Sequence, residues 1–156
     1  MDKISYKEYK EIVREEINNF PIYFAYGDDQ LNKIAKELGF NSINELVENI
    51  TPIVVGHFIL TKDKQDYIDM LKKHKNLKEE QIKLDTEGTG FIKDMFKTEL
   101  INHEYGYTLE LDDTLDTLGI TIDDLNKNKN LQNGLILATN EIKKAESKVN
   151  QEEEEM

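Results

Sequence analysis

Residues 52–60 read PIVVGHFIL, with two Val, two Ile and a Phe in nine positions, the strongest strand signal in the chain. A β-branched, aromatic run of this kind needs a partner strand and a cover. The candidate partner is Pro21-Ile-Tyr-Phe-Ala-Tyr26, which is aromatic, bounded by Pro and Gly, and too short for a helix. Almost everything else repeats its apolar residues at three and four, the period of an amphipathic helix. The two signals together predict an α+β fold: a single, mostly helical domain over residues 1–149 with two or three short strands, followed by an acidic tail at 150–156.

The predicted helices carry their own start and stop signals. Ser5 with Glu8 has the form of a capping box ahead of a helix with Tyr6, Tyr9, Ile12, Val13 and Ile17 on one face, stopped before Pro21. Asp28 is the expected N-cap of a helix through Leu38, closed by Gly39, and Ser42 with Glu45 opens a short one. Residues 61 to about 74 read as a helix, with His74 at a Lys-rich surface end, while Leu77 to Leu84 is too polar to assign. Phe91 to about His103 has a full apolar stripe, and Thr86 to Gly90 is a loop. Tyr105 to Thr108 breaks the period. Asp112 to Leu118 ends at Gly119, Thr121 caps a further turn, and Leu131 to about Val149 forms a last helix before a mobile, solvated Glu run.

Composition removes several functions. With no Cys, thiolate zinc, iron–sulfur and cysteine-nucleophile chemistry are excluded. Seven Tyr and six Phe are too many for a disordered chain. No apolar run approaches the roughly 20 residues of a membrane helix, and the opening MDKISYKEYK has no apolar signal region, so a cytoplasmic location in a host cell and no membrane contact are expected. No Walker-type loop or Gly-x-Gly-x-x-Gly is present, the three serines do not point to a hydrolase, and the acidic residues lack EF-hand spacing. Tyr23, Phe24 and Tyr26 have no interleaved basic residues, which favours a core strand over base stacking.

The charge is more informative than any motif. The formal net charge is -12, so direct nucleic-acid binding is not expected. Residues 98–126 hold no Lys or Arg but eight carboxylates: Glu99, Glu104, Glu110, Asp112, Asp113, Asp116, Asp123 and Asp124. One reading is a solvated surface whose acids cap short helices. A second is a negative face, formed by Glu104, Glu110, Asp112, Asp113, Asp116, Asp123 and Asp124, that engages a basic partner in place of nucleic acid. A third is a divalent cation site, zinc or manganese, at Glu99, His103 and Glu104, since Glu99 and His103 share a helical face. The alternative for His103 is a hydrogen-bonded helix end, with the block holding the acidic segment against the strands.

Phe20-Pro-Ile-Tyr-Phe-Ala-Tyr26, Glu99-Leu-Ile-Asn-His-Glu-Tyr105 and Leu-Asp-Asp-Thr-Leu-Asp-Thr-Leu-Gly119 together resemble an uncharacterised family of small phage and mobile-element proteins of low-GC Gram-positive bacteria. That family has an F-F-A-F-type strand and an N-H-E-Y block. Here Gly27 stands where Ser is expected. The resemblance covers residues 20–40 and 90–120 best and brings no established activity. It implies a shared centre at Asn102, His103, Glu104 and Tyr105, with Thr108 and Asp113. Small acidic proteins of such elements often inhibit host defence. The leading expectation is therefore a non-enzymatic, anti-CRISPR-type inhibitor of a basic host protein, such as a CRISPR effector nuclease or another nucleic-acid-handling protein, with no cofactor. The alternative is a metal-binding protein or metal-dependent enzyme at Glu99, His103 and Glu104.

Overall fold

The computed structural model describes the backbone of residues 2–155 and the side chains of 2–149. The elements in chain order are α1 (Tyr6–Asn19), β1 (Tyr23–Phe24), α2 (Asp28–Glu37), α3 (Ile43–Glu48), β2 (Ile50–Val54), β3 (His57–Leu60), a 3-10 turn (Thr61–Asp63), α4 (Lys64–Leu84), α5 (Phe91–Asn102), α6 (Tyr105–Thr108), α7 (Asp112–Leu118), α8 (Ile122–Lys127) and α9 (Lys129–Glu155). Helix dominates and the strands form one antiparallel sheet, as the α+β reading expects. The chain divides into two compact units, one of residues 11–76 and one of 1–10 with 77–156.

The smaller unit holds the sheet, in the order β1-β3-β2. The run 52–60 is not one strand but the centre of a hairpin. Gly56 lies at φ +79 and turns the chain back after Val55, so Ile50 pairs with Leu60 and Thr51 with Ile59. The register slips between Pro52 and Val54, the local irregularity of a β-bulge. Pro52 sits on an edge strand, where its missing N–H costs no ladder bond. No side chain can replace the glycine without strain: besides the left-handed φ, a Cβ would come within 2.9 Å of the Phe24 ring. The core of this unit is Ile34, Ala35, Leu46, Phe58 and Leu60, flanked by Tyr23, Leu31 and Phe40. β1 is shorter than expected, and Phe24 and Tyr26 face solvent instead of the core. His74 is buried, not at the surface: its Nε2 lies 2.6 Å from Glu16, whose other oxygen accepts from Lys73 at 2.8 Å. Those two hydrogen bonds, Lys73 first, hold the Glu16 carboxyl below its ordinary range.

The larger unit is built around α5. Phe91, Ile92, Met95, Phe96 and Leu100 are buried along it, and α9 packs against it. Gly134 of α9 permits the close approach, because a Cβ there would strike Ile92 and the Gly88 carbonyl. Tyr6 and Tyr9 meet Phe91 edge-on. Before α5, one carboxylate organises the glycine loop: Asp85 accepts from the backbone N–H groups of Gly88 at 3.1 Å, Gly90 at 3.2 Å and Ile92 at 2.9 Å. The unassigned segment 77–84 is the continuation of α4, where buried Gln81 bonds Ile4 N–H and the Asp2 carbonyl. The capping boxes at Ser5/Glu8 and Thr121/Asp124 form, and Ser42 caps α3, whereas Asp28 opens α2 behind an unbonded Gly27 cap. α9 begins two residues earlier than expected and its backbone continues to Glu155. The expected solvation of the 150–156 side chains lies outside the described residues.

Candidate functional site

The acidic segment begins where α5 ends. Burial of the Glu99 side chain would raise its pKa. The Tyr6 hydroxyl donating at 2.7 Å, Lys10 Nζ at 3.3 Å and the Asn102 side chain outweigh that, and the carboxyl stays below its ordinary range. Tyr6 responds oppositely: burial first, then the bond to Glu99, push its hydroxyl far up, so it remains a donor.

The Glu99 backbone carbonyl is a second junction. It accepts from the His103 N–H at 3.0 Å, from His103 Nδ1 at 2.8 Å and from the Thr114 hydroxyl at 3.4 Å. A carbonyl only accepts, so Nδ1 carries a proton. The other ring nitrogen, Nε2, meets the Thr117 hydroxyl at 3.1 Å. His103 thus ties the end of α5 to α7. The block acts as a structural joint, as one reading of the sequence expects, and the bonds it makes fasten α7 against α5.

This joint also answers the cation-site expectation. The Glu99 carboxylate is committed to Tyr6 and Lys10, both His103 nitrogens have protein partners, and Glu104 is exposed in a left-handed conformation. Glu99, His103 and Glu104 do not form a ligand shell, and among the described residues no three His, Asp or Glu side chains converge as a cation-holding group.

Beyond the joint the chain is tightly turned. Glu104 and Leu109, both at φ 57, bracket the single turn of α6. Left-handed backbone costs a non-glycine residue about 1–2 kcal/mol, and it is especially uncommon for a bulky residue such as Leu. Tyr105 is buried and anchors the turn, while Tyr107 is 91% exposed and Leu109 largely so. Thr108 Oγ1 accepts from Glu110 N–H at 3.2 Å.

All seven carboxylates assigned to the negative face, Glu104, Glu110, Asp112, Asp113, Asp116, Asp123 and Asp124, are exposed. Asp112 and Asp113 stand in the first turn of α7, Asp123 and Asp124 in that of α8, where backbone N–H groups favour negative charge. The Thr121 backbone N–H, then its hydroxyl, lower the pKa of Asp124. Among the described residues the ion pairs within 4 Å fall on Glu16, Glu99 and Glu141, and Lys127 adds a weaker attraction on Asp124. Lys78 donates to the Leu118 carbonyl at 2.7 Å, at the far end of α7 from Asp112.

Of the residues implied as a shared centre, His103, Tyr105 and Asn102 serve the joint, while Glu104 and Asp113 belong to the exposed face. Thr114, Thr117, Tyr6 and Lys10 complete the site unannounced. Their partners lie 14 to 93 residues away in sequence, beyond the reach of any local pattern.

No helix among the described residues is long and apolar enough to cross a membrane. Comparison with curated proteins and with solved structures gave no match. Residues 5–141 match a family of unknown function, DUF7659, and the chain belongs to that family.

Proposed function

We propose that this protein is a non-enzymatic interaction module that presents the segment 104–124 to a basic surface of a nucleic-acid-handling protein in the cytoplasm and thereby obstructs it. The supporting observation is the seven exposed carboxylates in a stretch without one Lys or Arg. Tyr107 and Leu109 stand out of the same segment and supply apolar contact that charge alone lacks. A single-sign face of this kind speeds encounter with an oppositely charged partner and discriminates against acidic ones. The buried joint at Glu99 and His103 keeps the face fixed on α5.

The test is capture of host nucleic-acid-handling proteins at low ionic strength, a CRISPR effector nuclease first, by the wild type and by Asp112→Lys with Asp116→Lys. The wild type binds and releases as salt rises, because exposed charges are screened. The double variant keeps its fold and loses the partner. Equal capture by both proteins, or capture indifferent to salt, refutes the reading.

A further inference from the structure

The smaller unit carries a surface of the opposite character. Residues 20–27 and 50–61 contain no Lys, Arg, Asp or Glu, in a chain of which 33% is charged. Tyr23, Phe58, Ile59 and Leu60 from these stretches turn inward. Others turn out: Val55 is 93% exposed, Tyr26 79%, Val54 64% and Phe24 40%. They form one patch, since the Phe24 ring lies 4.4 Å from Tyr26 and 4.6 Å from His57, and His57 pairs with Val54 across the hairpin. Val54, Val55 and His57 also line a shallow, open apolar depression of about 350 Å³, together with Leu31, Ile50, Pro52 and Ile53.

We propose that this face pairs with the same face of a second copy of the chain, making a weak, reversible two-fold dimer. Three observations select a second copy. The exposed Val54 and Val55 border the depression, and two-fold pairing requires one patch to be its own complement, so that each copy's valines lie against the other's depression. Two molecules of net charge -12 repel, and an uncharged face lets them meet without opposing carboxylates. The area also fits. Aromatic side chains present roughly 150–250 Å² each. Weighted by exposure, Phe24 and Tyr26 with the two valines give a patch of roughly 400 Å², a size that often marks a binding surface on a soluble chain. Doubled by symmetry it reaches about 800 Å² before any rim is counted, short of the roughly 1,200 Å² of a stable interface and in keeping with a weak, transient one.

The experiment is sedimentation velocity of the full chain from micromolar to near-millimolar concentration, at low and high NaCl. The wild type shifts reversibly from monomer to dimer, and salt strengthens the dimer by screening the repulsion. Val55→Asp and Tyr26→Ser, both outward-facing, keep the wild-type circular dichroism and weaken dimerisation by at least about tenfold, since symmetry applies each change twice. Asp112→Lys with Asp116→Lys, in the other unit, still dimerises. A wild type that stays monomeric overturns the proposal and assigns the patch to a different partner. A dimer that survives both patch substitutions, disperses in salt or is lost in the Lys variant overturns it as well.

Discussion

Tyr6→Phe is the sharpest probe of what holds the larger unit together. It deletes one oxygen at a site 3% exposed and leaves the aromatic contact with Phe91 intact. What it removes is the 2.7 Å bond to Glu99. A hydrogen bond to a charged group is worth about 1.5–3 kcal/mol. The Lys10 partner of Glu99 is half exposed and compensates by little, since such ion pairs contribute about 0–1 kcal/mol. The expected loss is therefore about 2 kcal/mol, read from urea unfolding at pH 7 followed by circular dichroism. Glu99→Gln keeps an acceptor for Tyr6 but removes the charge, and should cost about 1 kcal/mol, the difference between a charged and a neutral hydrogen bond. The two effects should not add in the double variant, because both act on the same bond: Tyr6→Phe deletes it and Glu99→Gln weakens it.

Glu99 also fixes a pH dependence. Its pKa is lowered in the folded chain, so the folded state holds fewer protons than the unfolded one around the ordinary glutamate value of about 4.3. The stability it contributes is present above that value and lost as pH falls through the lower folded pKa. The gap between wild type and Glu99→Gln should shrink below about pH 4. If Tyr6→Phe leaves the unfolding midpoint unchanged, or the Glu99→Gln penalty is the same at pH 3 as at pH 7, the buried pair does not hold the unit.

Other expectations follow from single contacts. His103→Ala should lower stability by about 0.5–1.5 kcal/mol, the net worth of a hydrogen bond, because the Glu99 carbonyl keeps its other two donors and Thr117 is exposed; a variant that melts like wild type would show that α7 is not fastened by this joint. Gly56→Ala should cost about 1–2 kcal/mol for the left-handed turn, with faster hydrogen exchange in β3 and little change in α5. Gly134→Ala should loosen α9 from α5 and lower the melting temperature, and an unchanged melt would mean the helices can part without cost.

Helices whose apolar residues recur at three and four are legible in the sequence: Tyr6–Asn19 because stripe and capping box agree, Phe91–Asn102 from its stripe alone. The hairpin is less so. PIVVGHFIL is dominated by strand formers, and the single glycine that reverses the chain lacks the Asn or Asp partner of the commonest hairpin turns. Segment 77–84 hides its helix because Gln81 is buried while polar, satisfied by backbone from the N-terminus. Burial of His74 depends on Glu16, 58 residues away. At the candidate site the charge was readable by counting. The cation reading of Glu99 and His103 used helical spacing correctly, but spacing places side chains on a face and does not reveal that Tyr6, Lys10 and Thr117 occupy them first.

Asp85 gives the glycine loop before α5 a different meaning. Backbone amides gathered at a helix start make a seat for an anion, and in many proteins a phosphate from solution fills it. Here the chain supplies the anion three residues ahead of the first amide it binds. The apolar helix α5 therefore arrives with its positive end already met by a carboxylate of its own chain. An outside phosphate would have to displace a carboxylate tethered at high effective concentration, which closes this loop as a nucleotide seat although its Gly-Thr-Gly sequence imitates one.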